Sequence, residues 1–182
     1  MTVTVLLYLV VDVSGSTVRR GFHGGVVRAL PGIVGDLERT GGDDAWLSMI
    51  TYSTEAAVLI PLTRARDVQV LPAPRAGGFS SLAAALRLLV GTVGSDAALL
   101  RADGLTAPEP TVLVVADGLP TDRDEDVLAA RDAIEADLHL ALPADVPALA
   151  AAGLRGTRHP LTLGTPEEVA ASVCDAARRA VR

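Results

Sequence analysis

Val3-Thr4-Val5-Leu6-Leu7-Tyr8-Leu9-Val10-Val11-Asp12-Val13-Ser14-Gly15-Ser16 decides the fold. Residues 3–11 are almost unbroken apolar, the pattern of a strand covered on both faces in a parallel sheet. The run passes directly into a polar, glycine-containing turn, so Asp12, Ser14 and Ser16 leave the carboxyl end of a buried strand at alternate positions. One carboxylate and two hydroxyls are hard oxygen donors with no sulfur or imidazole among them. That chemistry suits Mg2+, Mn2+ or Ca2+ rather than Zn2+ or Cu2+. A second acidic turn, Ala116-Asp117-Gly118-Leu119-Pro120-Thr121-Asp122, follows another buried run, residues 111–115. Two strand-end carboxylates in one open sheet, Asp12 and Asp117, suggest a shared site.

At 182 residues the chain is long enough for one α/β core, with residues 1–182 read as a single domain. Hydrophobic residues make up 49% and aromatics only 3%, so the core is built from Ala, Val and Leu. A net charge of −6 argues against a nucleic-acid partner, and no basic run interleaves with aromatics. All 16 basic residues are Arg, and neither Lys nor Asn occurs. Their absence excludes P-loop lysine, Schiff-base lysine and kinase-type Lys/Asn mechanisms. The single Cys174 excludes an intrachain disulfide and a multi-cysteine zinc site. It falls on an amphipathic helical stretch and reads as a small buried hydrophobe. The first apolar run is too short for a membrane span and has no basic leader. The expectation is a cytoplasmic protein with no membrane partner.

Strand and helix signals alternate along the chain. Helices are expected over residues 19–39, 80–93, 122–136, 144–152 and 165–180, with Pro31 able to kink or break the first. Strands are expected over 45–52, 56–60, 111–115, 138–142 and 159–162. Residues 53–55 form a tight turn, so the 56–60 arm is antiparallel and lies at an edge. Asp122 and Glu125 stand at capping-box spacing. Thr165, Pro166 and the acids Glu167 and Glu168 mark a helix start. The fold class is α/β: one doubly wound, mostly parallel sheet with an antiparallel edge strand and helices on both faces.

In such sheets ligands bind beyond the carboxyl ends of the strands, where the winding reverses. Strands 3–11 and 111–115, adjacent there, bring Asp12, Ser14, Ser16 and Asp117 into one crevice. Ala76-Gly77-Gly78-Phe79-Ser80-Ser81 is a glycine-rich loop before a helix that adds the Ser80 hydroxyl, with Ser81 as the register alternative. Metal-binding candidates are therefore Asp12, Ser14, Ser16, Ser80 and Asp117. Thr121 and Asp122 read as caps. His23, His139 and His159 are isolated in sequence and carry no ligand spacing.

These loops resemble von Willebrand factor A domains with a metal-ion-dependent adhesion site. That pattern is Asp-x-Ser-x-Ser, a Thr on a second loop and an Asp on a third. Asp12, Ser14, Ser16 and Asp117 match it, and Ser80 stands where the Thr would be. Leu47-Ser48-Met49-Ile50-Thr51-Tyr52 and Asp117-Gly118-Leu119-Pro120-Thr121-Asp122 are similar to segments of bacterial TerY-like proteins, whereas the strand ending in Leu142-Pro143 departs from them. The resemblance implies a non-enzymatic module that binds Mg2+, or Mn2+ or Ca2+. A protein partner would supply an Asp or Glu carboxylate to the metal. It further implies a bacterial tellurium-resistance or stress-response setting with kinase or phosphatase partners. A phosphotransferase of haloacid-dehalogenase type is the alternative, with Asp12 as nucleophile, but Ser14 replaces its acid/base Asp and no Lys is present. A third reading is a metal-independent scaffold that binds through the 56–60 edge.

Overall fold

The computed structural model describes residues 2–69, 73–118, 120–146, 154 and 156–182. The helix expected over 144–152 falls mostly on residues outside that set. Six strands form one sheet in the order β3-β2-β1-β4-β5-β6. They are β1 (Val5–Asp12), β2 (Ala45–Tyr52), β3 (Ala56–Arg64), β4 (Thr111–Val115), β5 (Asp137–Pro143) and β6 (Thr157–Leu161). Only the β2/β3 pair is antiparallel. The expected fold is therefore found, with β1 and β4 adjacent at the centre and β3 at an edge.

Alternation along β1 divides the core. Leu7, Leu9 and Val11 face one apolar cluster, with α1 (Phe22–Gly41) and α4 (Pro166–Ala180). Leu6, Tyr8 and Val10 face the other, with α2 (Leu82–Ala102) and α3 (Asp124–Asp132). A period of two with both faces apolar is why β1 reads as a continuous hydrophobic run.

The structure corrects several boundaries. A 3-10 turn over Gly15–Gly21 precedes α1, which then runs unbroken through Pro31. Proline removes one helical hydrogen bond, but Leu30, Ile33, Val34 and Leu37 are buried around it and hold the helix in place. The α2 helix continues nine residues beyond Val93, because Asp96 accepts a hydrogen bond from the Tyr8 phenol at 2.9 Å and Leu100 is buried. These anchors outweigh Gly94, whose helix cost is about 1 kcal/mol. By length and composition α2 is apolar enough to cross a bilayer, yet its apolar face packs on the sheet. The β3 strand runs to Arg64, with a register irregularity opposite Met49. Pro61 is tolerated because an edge strand need not donate there.

Two of the three histidines are not isolated. His139 on β5 and His159 on β6 are both buried, with His139 Nδ1 and His159 Nε2 2.9 Å apart. Asp137 accepts from His139 Nε2 at 3.0 Å, so the His139 Nδ1 lone pair is left to accept from His159 Nε2–H. Adjacent parallel strands created this pair, which sequence spacing alone does not display.

Glycine sets how closely α1 and α4 approach. A Cβ on Gly25 would land inside the Val169 side chain, and Gly21, at φ 67°, would place one 2.5 Å from the Gly164 carbonyl oxygen. At the far end Asp36 is buried between Arg39 and Arg178, the latter at 3.0 Å.

Gly25→Ala is expected to destabilise the fold by about 1–3 kcal/mol through overpacking, read from urea melts; unchanged stability would show that the two helices can separate freely. The histidine pair predicts a pH dependence. Burial holds the His159 pKa below its ordinary value, helped by His139 and Arg179 and opposed by Asp175. The unfolded chain then binds the proton more readily, so stability is complete above about pH 6.5 and declines as the pH falls below it. His159→Leu should flatten the stability difference between pH 7.5 and 5.5. An identical slope in variant and wild type would exclude His159 as its source.

Candidate metal centre

Three loops meet at the carboxyl ends of β1 and β4. In the first, Thr17 donates to the Ser14 carbonyl through its amide (3.1 Å) and its hydroxyl (2.7 Å), folding the turn after Asp12. The second is tied to the first by Gly77 N–H to Val13 O (2.8 Å) and Gly15 N–H to Gly78 O (3.0 Å). The third is tied to the second through Thr121, whose amide (2.7 Å) and hydroxyl (3.0 Å) both donate to the Ser80 carbonyl.

All five sequence-selected residues come together in one hydrogen-bonded chain. The Ser80 hydroxyl donates to Asp12 Oδ2 at 2.7 Å, and the Ser14 amide donates to Asp12 Oδ1 at 2.7 Å. The Ser14 and Ser16 hydroxyls lie 3.0 Å apart, and Ser16 donates to Asp117 Oδ1 at 3.1 Å. Asp12 is 1% exposed, Ser14 and Ser80 are buried, Ser16 is exposed and Asp117 lies between. Burial pushes the Asp12 pKa up, against the lowering effect of the Ser14 and Ser80 hydrogen bonds. The fully buried Tyr52 phenol is pushed far above its ordinary range, first by burial and then by the Asp12 charge.

Ser80 and Ser81 are separated by this geometry. Ser81 donates its hydroxyl to Asp122 Oδ1 at 2.7 Å, while Asp122 Oδ2 accepts from the Ala83 amide at 2.9 Å. Asp122 is thus a cap, as its residue type suggested, but for the start of α2 rather than α3. The α3 helix begins two residues later, at Asp124, behind an Arg123 that makes no side-chain cap. Sequence spacing pointed to the nearer helix; the register of the loops delivered the farther one.

The donor set fits a hard divalent cation. It is oxygen only, and a serine hydroxyl that donates to a carboxylate keeps lone pairs for an ion. Among the described residues no cationic side chain pairs with buried Asp12, and no group of three or more His, Cys, Asp or Glu is gathered here or elsewhere, so hydroxyls would have to supply much of the shell. Sequence reading missed Thr54, which accepts from the Phe79 amide at 3.1 Å and fixes the glycine loop. Gly78, at φ 79°, leaves room for it, since a Cβ there would sit 2.5 Å from Thr54 Oγ1. The turn Ser53-Thr54-Glu55 had signalled only a hairpin.

A family model for the von Willebrand factor type A domain matches residues 7–141. Similar solved structures include a von Willebrand factor type A structure from Catenulispora acidiphila, 15% identical with a TM-score of 0.67, covering 97% of this chain and 42% of that one. The pilus adhesin SpaC from Lactobacillus rhamnosus GG is 13% identical with a TM-score of 0.74, covering 97% and 30%. The manganese-loaded TRAP protein of Plasmodium vivax is 19% identical with a TM-score of 0.60, covering 96% and 74%. The chain spans less than half the length of the first two, and at these identities the likeness is one of fold. No curated protein matches.

Asp122→Ala is expected to cost about 1–2 kcal/mol, the loss of a helix cap, with Ser81 left unpaired. Its affinity for Mn2+ should fall by about tenfold without being lost, the usual effect of a residue that holds a ligand's loop and does not touch the ion. A collapse of Mn2+ binding at unchanged stability would make Asp122 a ligand instead.

Proposed function

The chain belongs to the von Willebrand factor type A family, and on that premise we propose that it is a non-enzymatic, divalent-metal-dependent protein-interaction module. The observation that carries this reading is the five-residue oxygen cluster around Asp12, a buried carboxylate with no cationic partner among the described residues. Ser14, Ser16 and Ser80 would hold Mg2+, Mn2+ or Ca2+ through their hydroxyls, with Asp12 and Asp117 direct or through water. Bound there, the ion supplies a Lewis-acidic positive charge to which a partner's Asp or Glu carboxylate is attracted. Two carboxylates nearly balance a divalent charge, so an incoming anion is not repelled. The manganese in TRAP, a fold neighbour, agrees with the choice of ion.

The chain's own residues bind and position. Ser80 and the Ser14 amide orient Asp12, Ser16 orients Asp117, and Thr121 locks the second loop against the third. Ser14 occupies the place of a phosphotransferase acid/base, and no Lys is available for a transferred phosphate. We take the module to be a single domain over residues 1–182, working in the cytoplasm of a bacterium. Its setting would be a TerY-like, tellurium-resistance or stress-response system with a kinase or phosphatase as partner. Nucleic acid and membrane are not its partners in this reading, in keeping with the net charge of −6.

Thermal unfolding with chelator and with excess Mg2+ tests the metal. Wild type should gain stability with Mg2+, about 2.7 kcal/mol at a hundredfold excess over Kd. Asp117→Ala should fold normally with chelator and gain nothing from Mg2+, since it removes no apolar packing. Equal Mg2+ stabilisation of both proteins, or tight Zn2+ binding that Asp12→Ala leaves intact, would refute the metal assignment.

A further inference from the structure

At the opposite pole of the sheet a cavity of about 620 Å3 opens beside the amino-terminal ends of the strands. Leu6 at the start of β1, Pro110 just before β4 and Ala136 just before β5 all line it. The crevice around Asp12 lies at the other ends of these strands, and the two share no residue. Buried Leu6, Leu89 and Leu100 form an apolar floor, with half-buried Val90, Val93 and Ile134 standing around it. Small-molecule sites are mostly apolar concavities of roughly 300–1,000 Å3, and this cavity has that size and character. Its lining follows α2 from Leu89 to Arg101, about 18 Å of helix, so the space is elongated.

The walls are pinned by backbone hydrogen bonds. The Leu105 amide donates to the Leu100 carbonyl at 2.9 Å, the Val3 amide to the Thr106 carbonyl at 2.8 Å, and the Asp137 amide to the Pro110 carbonyl at 3.0 Å. These tie the connection between α2 and β4 to the helix end and to the chain on either side, so the space is formed by folding itself. Gly94 lies on the cavity wall inside α2, where glycine costs stability relative to other helix residues. A Cβ there would meet nothing within 4 Å, so no close approach within the chain calls for glycine, and its effect is to leave the cavity open. Only two of the lining residues are charged, Arg101 and Glu135. Both are exposed, and neither side chain has an ion pair or hydrogen bond among the described residues.

We propose that this cavity binds a single-chain amphiphile with an anionic head, an acyl carboxylate, whose chain lies along the Leu6, Leu89 and Leu100 floor and whose head meets Arg101. The elongated apolar space matches a linear chain. A guanidinium at one end of it, without a partner in the fold, is a charge-complementary fork for a carboxylate. Glu135, equally unpaired, repels the same head and so directs it to the Arg101 end. An ammonium head would have the opposite preference, and a neutral head would use neither charge. The inference stands apart from the metal reading, since it draws on none of the five oxygen-bearing residues.

Calorimetry with decanoate, decanol and decylamine, each below its micelle concentration, tests the assignment. Wild type should bind decanoate most tightly, decanol about three- to fivefold more weakly, as the loss of one exposed charge pair implies, and decylamine most weakly. Arg101→Gln should erase the advantage of decanoate over decanol. Gly94→Leu sends a side chain into the cavity and should weaken all three probes at least about tenfold, although leucine is the better helix former and the variant should melt no lower than wild type. Ala97→Phe, filling the same space from the next turn of α2, should have the same effect on binding. No binding of decanoate, binding of decylamine as tight as that of decanoate, or an unchanged decanoate affinity in the folded filling variants would overturn the proposal.

Discussion

A carboxylate that is 1% exposed at the end of the central strand is the constraint around which this pole of the molecule is arranged. Burying an anion without a counter-charge is costly unless hydrogen bonds meet it, and burial alone pushes the Asp12 pKa upward. The protein meets the cost with donors from two loops: the Ser14 amide on one oxygen and the Ser80 hydroxyl on the other. The Ser14 amide belongs to the turn that leaves β1 itself, and Ser80 is held there because its loop is bonded to Val13 and Gly15 after β1 and to Ser53 and Thr54 after β2, the strand β1 pairs with. Loop conformation and donor placement at this pole therefore meet a single demand at the end of β1.

The sheet and the five clustered residues were legible in the sequence because each signal was local and repeated. A strand buried on both faces is an unbroken apolar run, and Asp12, Ser14, Ser16 and Asp117 follow such runs directly. The start of α4 was equally plain from Thr165, Pro166 and the two acids after them, and there Thr165 and Glu168 bond each other's backbone amides. What escaped was non-local. Asp122 looks like a cap from its sequence and is one, but its helix begins 40 residues earlier, at Leu82. His139 and His159 are 20 residues apart and meet only because β5 and β6 are parallel neighbours. The length of α2 was hidden for the same reason: Gly94 argues locally for an end, and the Tyr8–Asp96 bond, spanning 88 positions, overrules it.

The two faces of the sheet are held differently. On the α1/α4 side, glycines at 21 and 25 let the helices approach closely, and a buried Asp36 shared by Arg39 and Arg178 marks the far end of that contact. On the α2/α3 side the packing is mostly aliphatic around buried Tyr8 and Tyr52, and two polar contacts fix the position of α2. Asp122 caps the helix at its start, and Tyr8 holds Asp96 near its end. Apolar packing tolerates sliding of a helix along a sheet, whereas a buried hydrogen bond fixes one register. In a core so poor in aromatics, those two bonds determine where α2, and hence the loop before it, is placed.

That placement bears on how the crevice can bind anything. Ser80 lies two residues before α2, its carbonyl receives two bonds from Thr121, and Thr121 is next to the Asp122 that caps the helix. A shift of α2 would therefore move the Ser80 hydroxyl, the third loop and the Phe79 backbone together. A set of oxygen donors linked in this way reaches its binding arrangement at little entropic cost, since folding has already ordered it. The same linkage means that the affinity for an ion proposed for this crevice would depend on contacts well outside the five oxygen-bearing residues. The Tyr8 phenol, on the opposite half of β1, belongs to that support although it touches none of them.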